Sequence, residues 1–232
     1  MRAAVIAVDG PAGSGKSSVC RGVAARLGLR YLDTGAMYRA MTFAMLDAGV
    51  DVDDAAAVAA HAPVVTIASG TAPADPTIHV NGLDVGGPIR GDDVTAAVSA
   101  VSAVPAVRDL LVGIQRACVD EARDAGEGIV VEGRDITTVV LPDADLKVFI
   151  TADPQVRAQR RAAQDQDLGK ESVDVDRTQT ALLERDAKDS GRTTSPLAVA
   201  PDAVVLDTTE MTLDEVIDRL CALADAVPES SA

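Results

Sequence analysis

Gly10, Pro11, Ala12, Gly13, Ser14, Gly15, Lys16 and Ser17 run consecutively and fill the pattern Gly-x-x-x-x-Gly-Lys-Ser/Thr. Glycines let the backbone curl until several N–H groups point inward at phosphate oxygens. A helix opening at the end of such a loop adds partial positive charge. Lys16 is expected to reach the β- and γ-phosphates of a nucleoside triphosphate, and the Ser17 hydroxyl to ligate Mg²⁺. Together with Ser18, these residues are the expected ATP-binding stretch. A dinucleotide loop would need glycine in place of Ser18. Guanine recognition through Asn-Lys-x-Asp fails because Asn81, followed by Gly82, is the only asparagine.

Arginines supply a second theme. Between Pro154 and Arg192 lie Arg157, Arg160, Arg161, Lys170, Arg177, Arg185, Lys188 and Arg192, matched by as many acids, so the stretch is neutral while the whole chain carries 21 − 36 = −15. Arg185, Asp189 and Arg192 recur at i, i+4, i+7, one face of a helix. The plain reading is a solvated, salt-bridged helical pair. The functional reading is a mobile lid over residues 154–192 that lays guanidinium forks on a transferring phosphoryl group and excludes water. The phosphate loop favours the lid. Arg39 and Arg134 fall at strand–helix junctions, and parallel sheets bind ligands beyond the carboxyl ends of their strands. Two anion-binding centres on the rim that carries Lys16 mean a donor and an acceptor.

The elements that must position these groups follow from the hydrophobic pattern. Ala3 to Val8, Ile129 to Val131, Leu146 to Ile150 and Ala203 to Leu206 are short apolar runs of the kind buried on both faces of a parallel sheet, and Tyr31-Leu32-Asp33 is a shorter one. Helical stripes separate them. One runs through Val19, Val23 and Leu27 to Gly28; another follows Pro105 through Val107, Leu110, Leu111, Ile114 and Cys118; the last follows a Thr212/Glu215 capping box through Leu213, Val216, Ile217, Leu220, Leu223 and Val227. Residues 154–163 and 175–187 also read as helices. The segment 63–88 departs from this. Val64 to Ile67 and Thr77 to Val80 are β-rich, and Asn81-Gly82 is a strong turn dipeptide, so a small antiparallel insert is expected. The fold class is therefore α/β: a three-layer phosphate-loop core over 1–62 and 89–227, the insert, the helical lid, and a frayed tail at 228–232.

These pieces together resemble the bacterial cytidylate kinase family, in the nucleoside-monophosphate kinase class. The resemblance runs through nearly the whole chain: Asp9 to Ser17, Leu32-Asp33-Thr34-Gly35-Ala36-Met37-Tyr38-Arg39, Glu132-Gly133-Arg134-Asp135, Arg157 to Arg161, Arg185-Asp186 through Asp189-Ser190-Gly191-Arg192 to Ser195-Pro196-Leu197, and Asp207-Thr208-Thr209. Thr137 stands where that family's pattern carries glycine, and Ser18 where threonine is common. The resemblance implies transfer of the γ-phosphoryl group of ATP to CMP or dCMP. It implies that the insert at 63–88 marks the monophosphate-binding region, that Thr34, Arg39 and Arg134 hold the acceptor phosphate, joined by Arg192 on closure, and that Arg185 and Asp189 face the ribose or phosphate. It gives Ser99, Arg108 and Asp135 the base, and Arg157 and Arg161 the donor phosphates. Lys16, Arg134, Arg157, Arg161 and Arg192 are then the catalytic set. Cytosine offers an N4 amino donor beside N3 and O2 acceptors, which suits a carboxylate beside an arginine fork. Uracil reverses two of these positions and leaves polar groups unpaired.

Each residue has a plain alternative. Ser99 could be a packing serine, Arg108 could cover its helix surface, and Asp135 could cap a helix. Asp9 and Asp33 could each hold a magnesium-bound water or cap a turn. No general base is required, because a nucleoside monophosphate is already ionised at neutral pH, its second pKa being about 6. His61 and His79 read as surface residues. Rival readings are a kinase for UMP or another monophosphate, a kinase for a hydroxyl metabolite such as shikimate or gluconate with Asp33 as base, and an ATP-dependent switch with a protein partner. An acidic surface and 2% aromatic residues argue against a nucleic-acid polymer as partner. Cys20, Cys118 and Cys221 are scattered and expected to pack in the core, in a reduced setting. No targeting segment and no apolar run of about 20 residues is visible, so a cytoplasmic protein without membrane contact is expected, and a monomer.

Overall fold

A computed structural model describes residues 4–167, 174–192 and 194–227. The main sheet holds β1 (Val5–Asp9), β2 (Arg30–Asp33), β6 (Ile129–Gly133), β7 (Leu146–Thr151) and β8 (Val204–Asp207), all parallel, in the spatial order β2-β6-β1-β7-β8. Alternate residues of β1 serve two cores. Val5 and Ala7 pack with α2 (Thr34–Asp47), α4 (Asp92–Val101) and α5 (Pro105–Asp124); Ile6 and Val8 pack with α1 (Lys16–Leu27) and α8 (Leu213–Asp225). Burial on both faces is why β1 and β6 read as unbroken apolar runs. The run at 203–206 does not meet that expectation: β8 is an edge strand that leaves Val204 and Val205 exposed.

The register brings the working ends of three strands level. Asp9 pairs with Gly133, and Asp33 with Glu132. The phosphate loop, the start of α2 and the segment after β6 therefore leave the sheet on one rim, where open α/β sheets bind ligands. Asp9 is fully buried and accepts from Ile136 N at 2.9 Å, Thr137 N at 2.7 Å and Thr137 Oγ1 at 2.7 Å. These bonds anchor a single π-turn at Ile136–Val140 that the sequence does not announce. The Thr137 hydroxyl adds a bond that glycine could not make. Of the two alternatives for Asp9, the structure shows the turn anchor.

The insert is a three-stranded antiparallel sheet of β3 (Ile67–Ser69), β4 (Ile78–Val80) and β5 (Leu83–Asp84), with Asn81 at φ 50 and Gly82 at φ 83 in the connecting turn. Its first strand begins later than the apolar pattern suggests, because Pro63 opens a 3₁₀ turn over Ala62–Val64. The insert also reaches back to the core: Thr71 O accepts from Tyr31 N at 2.9 Å on the edge strand β2, and Arg21 Nε donates to Pro73 O at 3.2 Å. The half-buried His61 ends α3 (Ala55–His61), and His79 lies on β4.

α6 (Pro154–Asp167) and α7 (Val175–Ser190) pack as a pair over the rim. Lys170 and the tail 228–232 lie outside the described residues. The capping box at Thr212 and Glu215 is present, and Val216, Ile217, Leu220 and Cys221 form the buried stripe of α8. Leu213 does not join that stripe; it is exposed beside the cavity described below. Cys20 and Cys221 are buried, Cys118 is half-buried, and all three are free. Among the described residues no single helix is long and apolar enough to cross a membrane.

Candidate active site

The loop between β1 and α1 takes its shape from glycine. A Cβ on Gly10 would stand 2.0 Å from Ile150 O on the neighbouring strand, and Gly15, at φ 83, caps α1 in the left-handed region. Lys16 Nζ donates to Gly10 O and Pro11 O, each at 2.8 Å, so the ammonium is held within the curl. Burial, and next the charge of Arg134, push its pKa well below the usual lysine value. Beside it lies Glu132, at the rim end of β6, an acid to which the sequence alone assigns no role. Its carboxyl accepts from the Tyr31 hydroxyl and from Ser17, and burial, followed by the charge of Asp33, pushes its pKa up.

A cavity of about 1180 Å³ opens over this rim. It exceeds the roughly 300–1,000 Å³ usual for one small ligand, which leaves room for two. Ala12 to Ser18 line one part, with Asp33, Arg39, Glu132, Arg134, Arg161 and Arg185 around the centre. Gly10 and Pro11 sit behind the lining. Asp33 caps α2 by accepting from Ala36 N at 3.0 Å and also faces the cavity. Arg39 donates to Thr95 Oγ1 at 2.9 Å. Burial first, then the charge of Arg161, lowers its pKa to about 10; burial, then Arg134 and Arg39, lowers that of Arg185 to about 9. Guanidinium groups that destabilise one another's charge in a half-closed space are primed for a polyanion.

A smaller pocket of about 60 Å³ adjoins the cavity; Gly35, Gly133, Arg134 and Arg185 line both. Thr34, Tyr38, Val98, Ser102, Arg108, Asp135, Asp189 and Arg192 complete it. Arg108 is buried rather than spread on its helix surface. Its guanidinium donates to Asp135 and, at 3.3 Å, to Ser102 O, and stands 5.4 Å from the centre of the Tyr38 ring. Asp189, also buried, accepts from Arg134 Nε at 3.2 Å and Arg192 Nη2 at 2.6 Å. Arg192 Nη2 donates to Ser102 Oγ at 2.8 Å as well. The Thr34 hydroxyl is turned to Glu132 O at 2.7 Å. Ser195, one of two non-glycine residues described at positive φ, bonds Asp135 with its side chain.

The structure thus gathers Lys16, Ser17, Ser18, Thr34, Arg39, Arg108, Arg134, Asp135, Arg161, Arg185, Asp189 and Arg192 at one continuous site. Besides Gly10 and Pro11, two expected members stand apart. Ser99 lines neither pocket; Ser102, the residue that closes α4, occupies that wall instead. Arg157 is turned under the phosphate loop, where Nη1 donates to Ala12 O at 3.0 Å and pairs with Asp186. Arg160, named among the lid arginines but given no ligand by the sequence, lines the cavity; its fork holds Thr208 Oγ1 at 2.9 Å and Thr208 O at 2.7 Å.

A strand–loop–helix phosphate cradle on a parallel sheet, a small antiparallel insert and a cation-lined cavity for two ligands define a phosphate-loop kinase of the nucleoside-monophosphate kinase fold. Residues 6–226 match the family model described as cytidylate kinase. The chain is 55% identical over 221 residues to the cytidylate kinase of Streptomyces griseus, covering 95% of this chain and 92% of that one. It is 54% identical over 223 residues to that of Streptomyces coelicolor (96% and 93%) and 54% identical over 216 residues to that of Nocardia farcinica (93% and 91%). The chain belongs to the cytidylate kinase family. Among solved structures, an uncharacterized protein from Eubacterium ventriosum has a TM-score of 0.51 at 12% identity, over 96% of this chain and 99% of that one, and shares the fold.

Proposed function

We propose that this protein transfers the γ-phosphoryl group of ATP to CMP or dCMP, giving ADP and CDP or dCDP, as a cytoplasmic monomer in pyrimidine nucleotide metabolism. The observation that carries the reading is the buried Arg108–Asp135 pair, which lines a small pocket adjoining the cavity that the phosphate loop lines. Asp135 would accept from cytosine N4 while Arg108 donates to N3 and O2, with Ser102 on the wall expected of Ser99. Arg39, Arg134 and Arg185 would hold the acceptor phosphate, and Asp189 orients Arg134, Arg185 and Arg192 around it. Lys16 and the loop N–H groups would take the β- and γ-phosphates, with Arg161 closing over them from α6.

Two polyanions repel, and neutralising that repulsion in a water-poor space is the main catalytic demand. The acceptor oxygen is already ionised, so no base is needed. The donor set fits Mg²⁺: Ser17, Asp33 and Glu132 face one cavity, and Mg²⁺ keeps several waters and takes only one or two carboxylates beside substrate phosphates. When bound, Mg²⁺ would neutralise charge on the β- and γ-oxygens. In this reading the α6–α7 pair over 154–192 is the lid, and the 63–88 sheet buttresses the acceptor side.

The test is a panel of acceptors with ATP and Mg²⁺: CMP, dCMP, UMP, AMP, dTMP, shikimate and gluconate. Rapid ADP release with CMP and dCMP is expected. Equal use of all the monophosphates would overturn the base assignment, and slow ATP hydrolysis indifferent to CMP would point to a switch.

A further inference from the structure

We propose that Asp186 and Arg157 are a positioning pair that fixes the backbone of the phosphate loop and ties it, through α7, to the acceptor side of the cavity. The link to the acceptor rests on the reading above; the effect on the donor does not.

Ala12 is held at both of its peptide groups. Its N–H donates to Asp186 Oδ1 at 3.0 Å, its carbonyl accepts from Arg157 Nη1 at 3.0 Å, and Arg157 and Asp186 pair with each other, closing a ring. The ring is shielded from solvent, the two side chains being 6% and 15% exposed. Ala12, Ala158 and Leu182 pack into one small apolar cluster, and a Cβ on Gly13 would stand 2.9 Å from Arg157 O. The first half of the loop therefore rides on α6 and α7. A cradle of backbone N–H groups binds phosphate only if its peptide planes are turned inward before the ligand arrives, and the plane at Ala12 leads directly into that run.

The same helix carries the acceptor contacts. Arg185 precedes Asp186, and Asp189, three residues on, holds Arg134 and Arg192. One face of α7 thus meets the acceptor side while the neighbouring face grips Ala12. An acceptor phosphate that draws Arg185 and Arg134 together moves a helix whose other face sets the donor loop. Linkage of this kind is reciprocal, so each nucleotide changes the affinity for the other by one factor.

The Arg157→Met/Asp186→Leu double variant replaces the pair with apolar chains of similar length, which a purely structural buried pair tolerates. Affinity for a non-hydrolysable ATP analogue with Mg²⁺, and for CMP with and without that analogue, is read by calorimetry beside thermal melting. The expected result is a melting temperature at or above the parent's and unchanged affinity for CMP alone. Analogue affinity should fall by about tenfold, the worth of one charge-assisted hydrogen bond. The factor by which the analogue alters CMP affinity should fall to one. Unchanged analogue affinity in a folded double variant overturns the positioning role. A retained factor, or a parent in which the two ligands bind independently, overturns the link through α7. If the double variant does not fold, Asp186→Asn decides instead: it keeps an acceptor for Ala12 N–H but no charge for Arg157, and analogue affinity equal to the parent's overturns the proposal. A parent that binds the analogue but not CMP would defeat the acceptor reading, leaving the donor arm to judge the pair.

Discussion

Arg108 and Asp135 meet where their side chains are only 4% and 6% exposed, and each is the other's principal charge partner. Burial pushes the Asp135 carboxyl up, and the Arg108 charge opposes that push. Removing one partner strands the other in a low-dielectric pocket, which costs about 3–5 kcal/mol. Asp135→Ala should therefore lower the melting temperature and also raise the KM for CMP by more than about tenfold, the discrimination usual for a lost polar base contact. The KM for ATP should stay near the parent value. Steady-state kinetics with each nucleotide varied in turn checks the split; equal damage to both would show a general loss of structure.

Arg185 carries a charge that its surroundings resist: burial comes first, followed by Arg134 and Arg39. Its partner Asp189 keeps Arg134 and Arg192 if Arg185 is lost. Arg185→Met should thus raise the melting temperature of the nucleotide-free protein by a few degrees, about 1 kcal/mol. It should lower turnover by roughly a hundredfold or more, the scale of one lost charge stabiliser. A variant both less stable and fully active would contradict the strained-cation account.

The lowered pKa of Lys16 sets a pH dependence for donor binding. Burial, then Arg134, disfavours its charge in the free protein, while a bound triphosphate restores it. Binding above neutrality must therefore take up a proton, and affinity for ATP should weaken as pH rises from about 7.5 to 9. Calorimetry in two buffers of different ionisation enthalpy reads the proton directly. Lys16→Arg, which does not titrate in that window, should show neither the uptake nor the slope.

Glu132 sets a pH dependence of stability. Its raised pKa means that the folded protein holds this proton to higher pH than the unfolded chain does. The stability it contributes is complete below the ordinary glutamate value of 4.5 and is lost as pH climbs through the raised one. Glu132→Gln should melt higher than the parent at pH 8, with the difference shrinking toward pH 5. A difference that grows toward low pH would refute the direction of the shift.

The phosphate loop was legible because its residues are contiguous and each type has its own chemical reason. Strands β1 and β6 were legible because burial on both faces leaves unbroken apolar runs such as Val5 to Val8, whereas the apolar run of β8 says nothing of its exposed edge position. Arg157 and Ser99 were not. Arg157 and Arg161 lie one turn apart on α6, and their sequence says nothing of how that helix seats on the loop; the first turn goes under Ala12 and the next faces the cavity. Ser99 and Ser102 are likewise one turn apart, but α4 stops at Val101 and the chain bends by 100° into α5, which swings Ser102 onto the pocket wall. Glu132 stood in plain view within Glu-Gly-Arg-Asp, yet its nearness to Lys16 and Tyr31 comes from strand register, which a single sequence does not print.

The contact between Tyr31 N and Thr71 O makes the insert a seal as well as a buttress. A naked border strand invites pairing with foreign chains. Trading residues 63–88 wholesale for another module would strip that seal and favour clumping, whatever the merit of the graft. Chimeras that keep the loop between β3 and β4, which carries Thr71, should remain dispersed, so the tolerant seam for module exchange lies at the turn between β4 and β5.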